Sequence, residues 1–141
     1  MSAKAWVGLL AILSISIHAA RADVKVPAVF ADHMVLQRDH PLKFWGWADS
    51  QETVEVRFGS ASAKATADAT GKWHLELPAM PANKTPASLS IQGKNKIEIK
   101  DVLVGEVWVC SGQSNMEWSV AASMNPQEEI AAANHPLIRH I

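Results

Sequence analysis

From Asp23 to about Lys100, hydrophobic and polar positions alternate in short runs separated by turn-forming residues. Thr53–Phe58 repeats with period two and places Val54, Val56 and Phe58 on one face of a strand. Ala61–Ala67 alternates more weakly, and Asp68-Ala69-Thr70-Gly71 predicts a hairpin turn with Gly71 at positive φ. In the run beyond it Trp73, Leu75 and Leu77 face one way, and Lys72, His74 and Glu76 the other. Pro78 to Pro86 predicts a proline-punctuated loop, followed by short strands at Leu89–Ile91 and Ile97–Ile99 around Gly93. Strands of this length, spaced about 8 to 12 residues apart, predict an antiparallel β-sandwich over residues 23–100. A module of that size without disulfides lies near the lower edge of independent stability, so it is expected to lean on the domain after it.

The pattern changes at Asp101. Val102–Val104 and then Val107-Trp108-Val109-Cys110 are nearly uniformly apolar, as in a strand covered on both faces. Ser111-Gly112 ends that run, and Gln113 to Trp118 predicts the opening of a helix continued by Val120–Met124 and stopped by Asn125-Pro126. Pro126–Ala133 predicts a second helix, with Glu128 and Glu129 near its positive end. Leu137–Ile141 predicts a second parallel-type strand. This order places the Ser114 hydroxyl at the carboxyl end of a sheet, beside the N–H groups of a helix terminus, where α/β acyl-transfer enzymes carry a nucleophile. The spacing admits another reading. Ser114 and Glu117 form S-x-x-E, a capping box worth about 1 kcal/mol, and Met116 stands where a G-x-S-x-G elbow has its second glycine.

The string Gly105-Glu106-Val107-Trp108-Val109-Cys110-Ser111-Gly112-Gln113-Ser114-Asn115-Met116-Glu117-Trp118 resembles the nucleophile block of the sialate O-acetylesterase family, carbohydrate esterases of the SGNH-hydrolase type. Met34–Arg38 with Pro41 and Trp45-Gly46-Trp47-Ala48 resembles the family's amino-terminal signature. Asp68, Gly71-Lys72-Trp73 and Leu77–Pro81 are similar to it as well, in the same order. The resemblance implies a mixed fold, an N-terminal β-sandwich followed by the first β-α-β elements of an SGNH-type α/β hydrolase domain over residues 101–141. It implies Ser114 as nucleophile, with its backbone N–H as an oxyanion donor, and a sialate 9-O-acetylesterase-like activity on O-acetylated sugars that needs no cofactor. An acetyl xylan esterase-like activity and a non-catalytic carbohydrate-binding module are the alternatives. The family's base and orienter come from a later D-x-x-H block that is not found here, and His135 and His140 lie too near the serine in sequence to match it. The expectation is therefore a front fragment or truncated product, inactive by itself.

Composition adds a compartment. Lys4, the apolar run Ala5–Ile17 and Ala20-Arg21-Ala22 predict a secretory signal over residues 1–22, cleaved before Asp23 to give a secreted or periplasmic protein. That run has 13 residues, against about 20 for a membrane span, so no membrane association is expected after cleavage. The chain has 13 Lys+Arg and 14 Asp+Glu, with no basic cluster, which argues against nucleic acid as a partner. Its single cysteine, Cys110, cannot form an internal disulfide and is expected as a buried thiol at the end of a core strand, a reactive thiol being the alternative. Trp45, Trp47 and Trp73 admit two roles, an aromatic platform for sugar rings or core and interdomain packing. His33, His40 and His74 show no ligand-like spacing, so no metal site is predicted.

Overall fold

The computed structural model describes residues 23–140; the predicted signal segment and Ile141 lie outside the described residues. Seven strands come first: β1 (Val35–Gln37), β2 (Leu42–Trp47), β3 (Thr53–Phe58), β4 (Ala61–Thr66), β5 (Lys72–Leu77), β6 (Asn83–Gln92) and β7 (Lys96–Gly105). They form a five-stranded sheet of order β1-β7-β6-β3-β4 and a two-stranded sheet of β2 and β5. Every pairing is antiparallel except β1 with β7, which is parallel, so the larger sheet is mixed rather than purely antiparallel.

The period-two pattern does what it predicts. Phe44 of β2 and Trp73 and Leu77 of β5 turn inward, as do Val54 and Val56 of β3 and Leu89 and Ile91 of β6, and all lie in one continuous hydrophobic core. Each such side chain contributes about 1.5–3 kcal/mol relative to exposure. The segment before β1 is fastened to the same body. Asn95 mimics a strand partner for Val24, accepting from its N–H at 2.7 Å and donating to its carbonyl at 3.1 Å. Lys25 and Trp47 exchange both backbone hydrogen bonds, at 2.8 and 2.9 Å. Gly46 permits that approach, because a Cβ there would collide with the Lys25 carbonyl oxygen and reach Trp73 Cζ2 at 3.0 Å.

Several predicted features take a different form. Gly71 has φ +79° and Asp68 organises its turn, its Oδ1 accepting from the Thr70 N–H at 2.7 Å and the Lys72 N–H at 3.0 Å. The turn is not a hairpin, however, since β4 and β5 belong to different sheets. The loop expected up to Pro86 already belongs to β6, which starts at Asn83. Proline is tolerated there because β3 pairs only with Leu89–Gln92, and the ladder with β7 shifts register between Asn83 and Ala87. Val102–Val104 are not a separate strand. They continue β7, with Asp101 at φ +57° absorbing the irregularity, a conformation that Asp tolerates better than most residues.

Beyond Gly105 the expected β-α-β order is not what the described residues show. Val107–Cys110 lie in no sheet, with Trp108 80% and Val109 94% exposed, and Cys110 is exposed rather than buried. A doubly covered strand takes both its hydrogen bonds and its burial from neighbouring elements, and no described strand pairs with this one. The expected first helix is two short 3-10 turns, Ser114–Glu117 and Val120–Ala122, with no buried residue on either. Only the second helix forms as predicted, as α1 (Pro126–Ala132), with Pro at its start and Glu128 and Glu129 in its first turn. Leu137 sits in a turn closed by the Ile138 N–H to the His135 carbonyl at 2.9 Å, and Ile138–His140 form no strand.

Candidate active site

The chain leaves the larger sheet through a tethered exit. The Arg38 N–H donates to the Gly105 carbonyl at 2.9 Å, and the Val107 N–H donates to Gln37 Oε1 at 2.9 Å. Gln37 Nε2 in turn donates to Glu106 Oε2 at 3.2 Å. Both ends of the Gln37 amide are thus used to carry the segment off the parallel β1–β7 edge and toward the serine turn.

Ser114 is the first residue of its 3-10 turn, and Gln113 occupies the cap position with no side-chain capping bond. The turn is held by the backbone alone, the Met116 N–H to the Gln113 carbonyl at 2.9 Å and the Trp118 N–H to the Asn115 carbonyl at 3.3 Å. The capping-box reading of Ser114 and Glu117 is therefore overturned, because a serine inside the turn cannot cap it. The Ser114 side chain is exposed, as are its neighbours Gln113, Asn115 and Met116. The buried strand expected behind the turn is absent among the described residues.

A cleft of about 860 Å³ lies between the end of β7, the start of β6 and the last described residues, lined among others by Asn83, Leu103, Trp108, Cys110, Ile138 and His140. Ser114 is not among its lining residues. One end of the cleft is fixed by a group that sequence reading missed. Asp101 accepts from Arg139 Nη2 at 2.9 Å through Oδ1, its carbonyl takes Arg139 Nη1, and its Oδ2 is paired with His33 Nδ1. Nothing in the sequence pattern marks three residues so far apart, although the positive φ of Asp101 is the kind of local exception that accompanies such a role. The His–Asp pair of the described chain is thus joined to Arg139, and no hydrogen bond links Ser114 to a histidine among the described residues.

The His33 hydrogen bond, and after it that from Arg139, holds the Asp101 carboxyl below the usual carboxylate value of 3.8. A lowered value in the folded state means that Asp101 stabilises the closed arrangement above the ordinary carboxylate range. This support is lost as pH falls through the lowered value. Hydrogen exchange of residues 134–140 is accordingly expected to be pH-independent in its protection near neutrality and to lose protection in acid. Asp101→Asn should lose that protection already at neutral pH; equal protection in wild type and variant would show that Arg139 does not hold the segment.

No family model matches the chain. It is 31% identical to the human sialate O-acetylesterase over 112 residues, covering 70% of this chain and 21% of that protein. It is 25% identical to the rat sialate O-acetylesterase over 138 residues, covering 89% of this chain and 26% of that protein. Among solved structures, a carbohydrate acetylesterase from Xanthomonas citri superposes with a TM-score of 0.75 at 41% identity, over 80% of this chain and 26% of that one. The fold of the β region is therefore shared with a carbohydrate acetylesterase. The chain belongs to the sialate O-acetylesterase family. It spans about a quarter of the length of these relatives.

Proposed function

We propose that the protein is a secreted carbohydrate O-acetylesterase of the sialate 9-O-acetylesterase kind, with Ser114 as its nucleophile. The observation that carries this reading is the state of the Ser114 hydroxyl, exposed at the head of its turn and not used as a cap. Its Oγ attacks the carbonyl carbon of an acetyl ester on a sugar while its proton passes to a histidine base. The Ser114 N–H donates to the oxyanion that forms. Collapse of that intermediate breaks the bond to the sugar oxygen, which leaves with the proton from the base, and water then releases acetate from the acetylated serine. No cofactor enters this chemistry.

The base and its carboxylate partner are supplied in this reading by residues other than those that Ser114 meets here. Residues 23–105 are a sandwich-type β module, and the stretch after Gly105 opens an SGNH-type α/β hydrolase domain. The exposed side chains of Trp108 and Val109 are those of an interior strand, which takes its place once neighbouring strands pair with it. Residues 1–22 direct export.

Acetate release from O-acetylated sialic acid and from acetylated xylan, measured with the product encoded by the gene, tests the proposal. Release is expected from the sialic acid substrate, and the 141 residues alone should not exceed the uncatalysed rate. Faster release from xylan would move the substrate to plant polysaccharide. No release from either would contradict the esterase reading.

A further inference from the structure

The outer face of the two-stranded sheet carries an arrangement that the esterase chemistry does not use. Trp45 and Trp47 of β2 point away from the core and are 44% and 46% exposed, while Phe44 of the same strand is buried. They stand two residues apart, roughly 7 Å along the strand, as an array rather than a lone ring. Trp45 is opposite His74 and Trp47 is opposite Lys72. Lys25 pairs with Trp47 from the other side. Directly opposed residues of antiparallel strands share a face, so Trp47 lies in a row between two exposed lysines, Lys25 and Lys72. Neither lysine has a salt-bridge partner among the described residues, in contrast to Lys43, which meets Glu76 at 3.7 Å in the next row but one.

The Trp45 indole and the Trp47 backbone are held in place. Phe30 packs against the edge of Trp45, with ring centroids 4.7 Å apart and planes at 70°, and is itself anchored on Phe44. The backbone of Trp47 is fixed by its two bonds to Lys25. A rigid aromatic surface loses little side-chain freedom when it binds. The charge is locally inverted as well. The whole chain is net −1, yet this face carries Lys25, Lys43 and Lys72 with Glu76, and the charge of Lys72 also acts on Asp68 in the preceding turn.

We propose that Trp45, Trp47, Lys25 and Lys72 form a binding surface for a carboxylated sugar, separate from the Ser114 turn. The apolar C–H face of the pyranose lies on the indoles and its carboxylate lies between the two ammonium groups. A neutral sugar would use the rings and leave the lysines idle, and a purely anionic ligand would leave the rings idle; a sugar acid uses both. The choice of a sugar as occupant rests on the acetyl-sugar reading above, whereas the surface itself does not depend on Ser114.

The test is a titration of the purified protein with a short oligosaccharide of sialic acid, and with a xylo-oligosaccharide of equal length as the neutral control, read by NMR at the indole N–H signals. Trp45 and Trp47 are expected to shift with the acidic sugar, more weakly as salt is added, while buried Trp73 stays unmoved. Trp47→Ala should weaken binding at least about tenfold, as loss of a central aromatic anchor does, and Lys72→Gln severalfold. Both positions are exposed, so dispersion of the remaining amide signals shows that the variants are folded. Ser114→Ala should leave the titration unchanged, which separates this outcome from that of the esterase test. Absence of indole shifts, as when other polypeptide covers the face, would overturn the proposal. So would equal binding of the neutral sugar, or a Trp47→Ala variant that binds as wild type does.

Discussion

Ser114→Ala is expected to reduce acetate release by the gene product by roughly three to six orders of magnitude, the range found when a covalent nucleophile is removed from its catalytic group. The loss should fall on kcat, because the hydroxyl forms the bond that breaks the ester and adds little to ground-state sugar binding. Ser114→Ala removes no capping bond and no buried contact, since the side chain makes neither. Its thermal midpoint should therefore match that of wild type within experimental spread. A large fall in rate with an unchanged midpoint distinguishes loss of chemistry from loss of fold. A fall of less than about tenfold would mean that another group carries the attack.

The second large effect concerns stability. Trp73 is 2% exposed and is the largest side chain in the shared core. Trp73→Ala should cost about 3–5 kcal/mol through lost transfer energy and the cavity left behind. Natural domains hold about 5–15 kcal/mol in total, and a β module of this size lies toward the lower end. Chemical denaturation of the variant should therefore find much of the β module unfolded without denaturant. Trp73→Phe should be far milder. The indole Nε1 is buried with no hydrogen-bond partner, so phenylalanine gives up ring volume but also removes an unsatisfied donor. A midpoint for Trp73→Ala close to that of wild type would contradict its place at the centre of the core.

What the sequence made legible depends on which interactions are local. Thr53–Phe58 and Lys72–Leu77 alternate cleanly because each strand has one face in the core and one in solvent, and both appear at the predicted bounds. Gly71 and Pro126 announce themselves because a positive φ and a helix start are set by the residue itself. Pro86 misled for the opposite reason. A proline argues against a strand only where its missing N–H is needed, and β6 has no β3 partner at that point. The parallel β1–β7 pair was equally hidden, because Val35–Gln37 and Leu103–Gly105 meet across most of the chain. For the tryptophans the sequence left a sugar platform and packing both open, and the structure divides them, with Trp45 and Trp47 on the outward face and Trp73 in the buried place.

At the candidate site the legible part was chemical rather than structural. The residues around Ser114 carried the family resemblance, while the strand and helix expected to present the serine do not form in residues 107–118. Val107–Cys110 are apolar enough to be interior, but burial and ladder hydrogen bonds come from neighbours that a local pattern does not contain. Arg139, Asp101 and His33 were missed because a salt-bridged cluster has no period and no spacing rule.

The most direct measurement is covalent trapping. The gene product, treated with a fluorophosphonate that phosphonylates activated serines, is digested and its peptides are weighed by mass spectrometry. A single adduct on the peptide containing Ser114, appearing in step with loss of acetate release and absent from Ser114→Ala, is the predicted result. Acetate release that survives with Ser114 unlabelled, or an inactivating adduct on any other residue, would contradict the assignment of Ser114 as nucleophile.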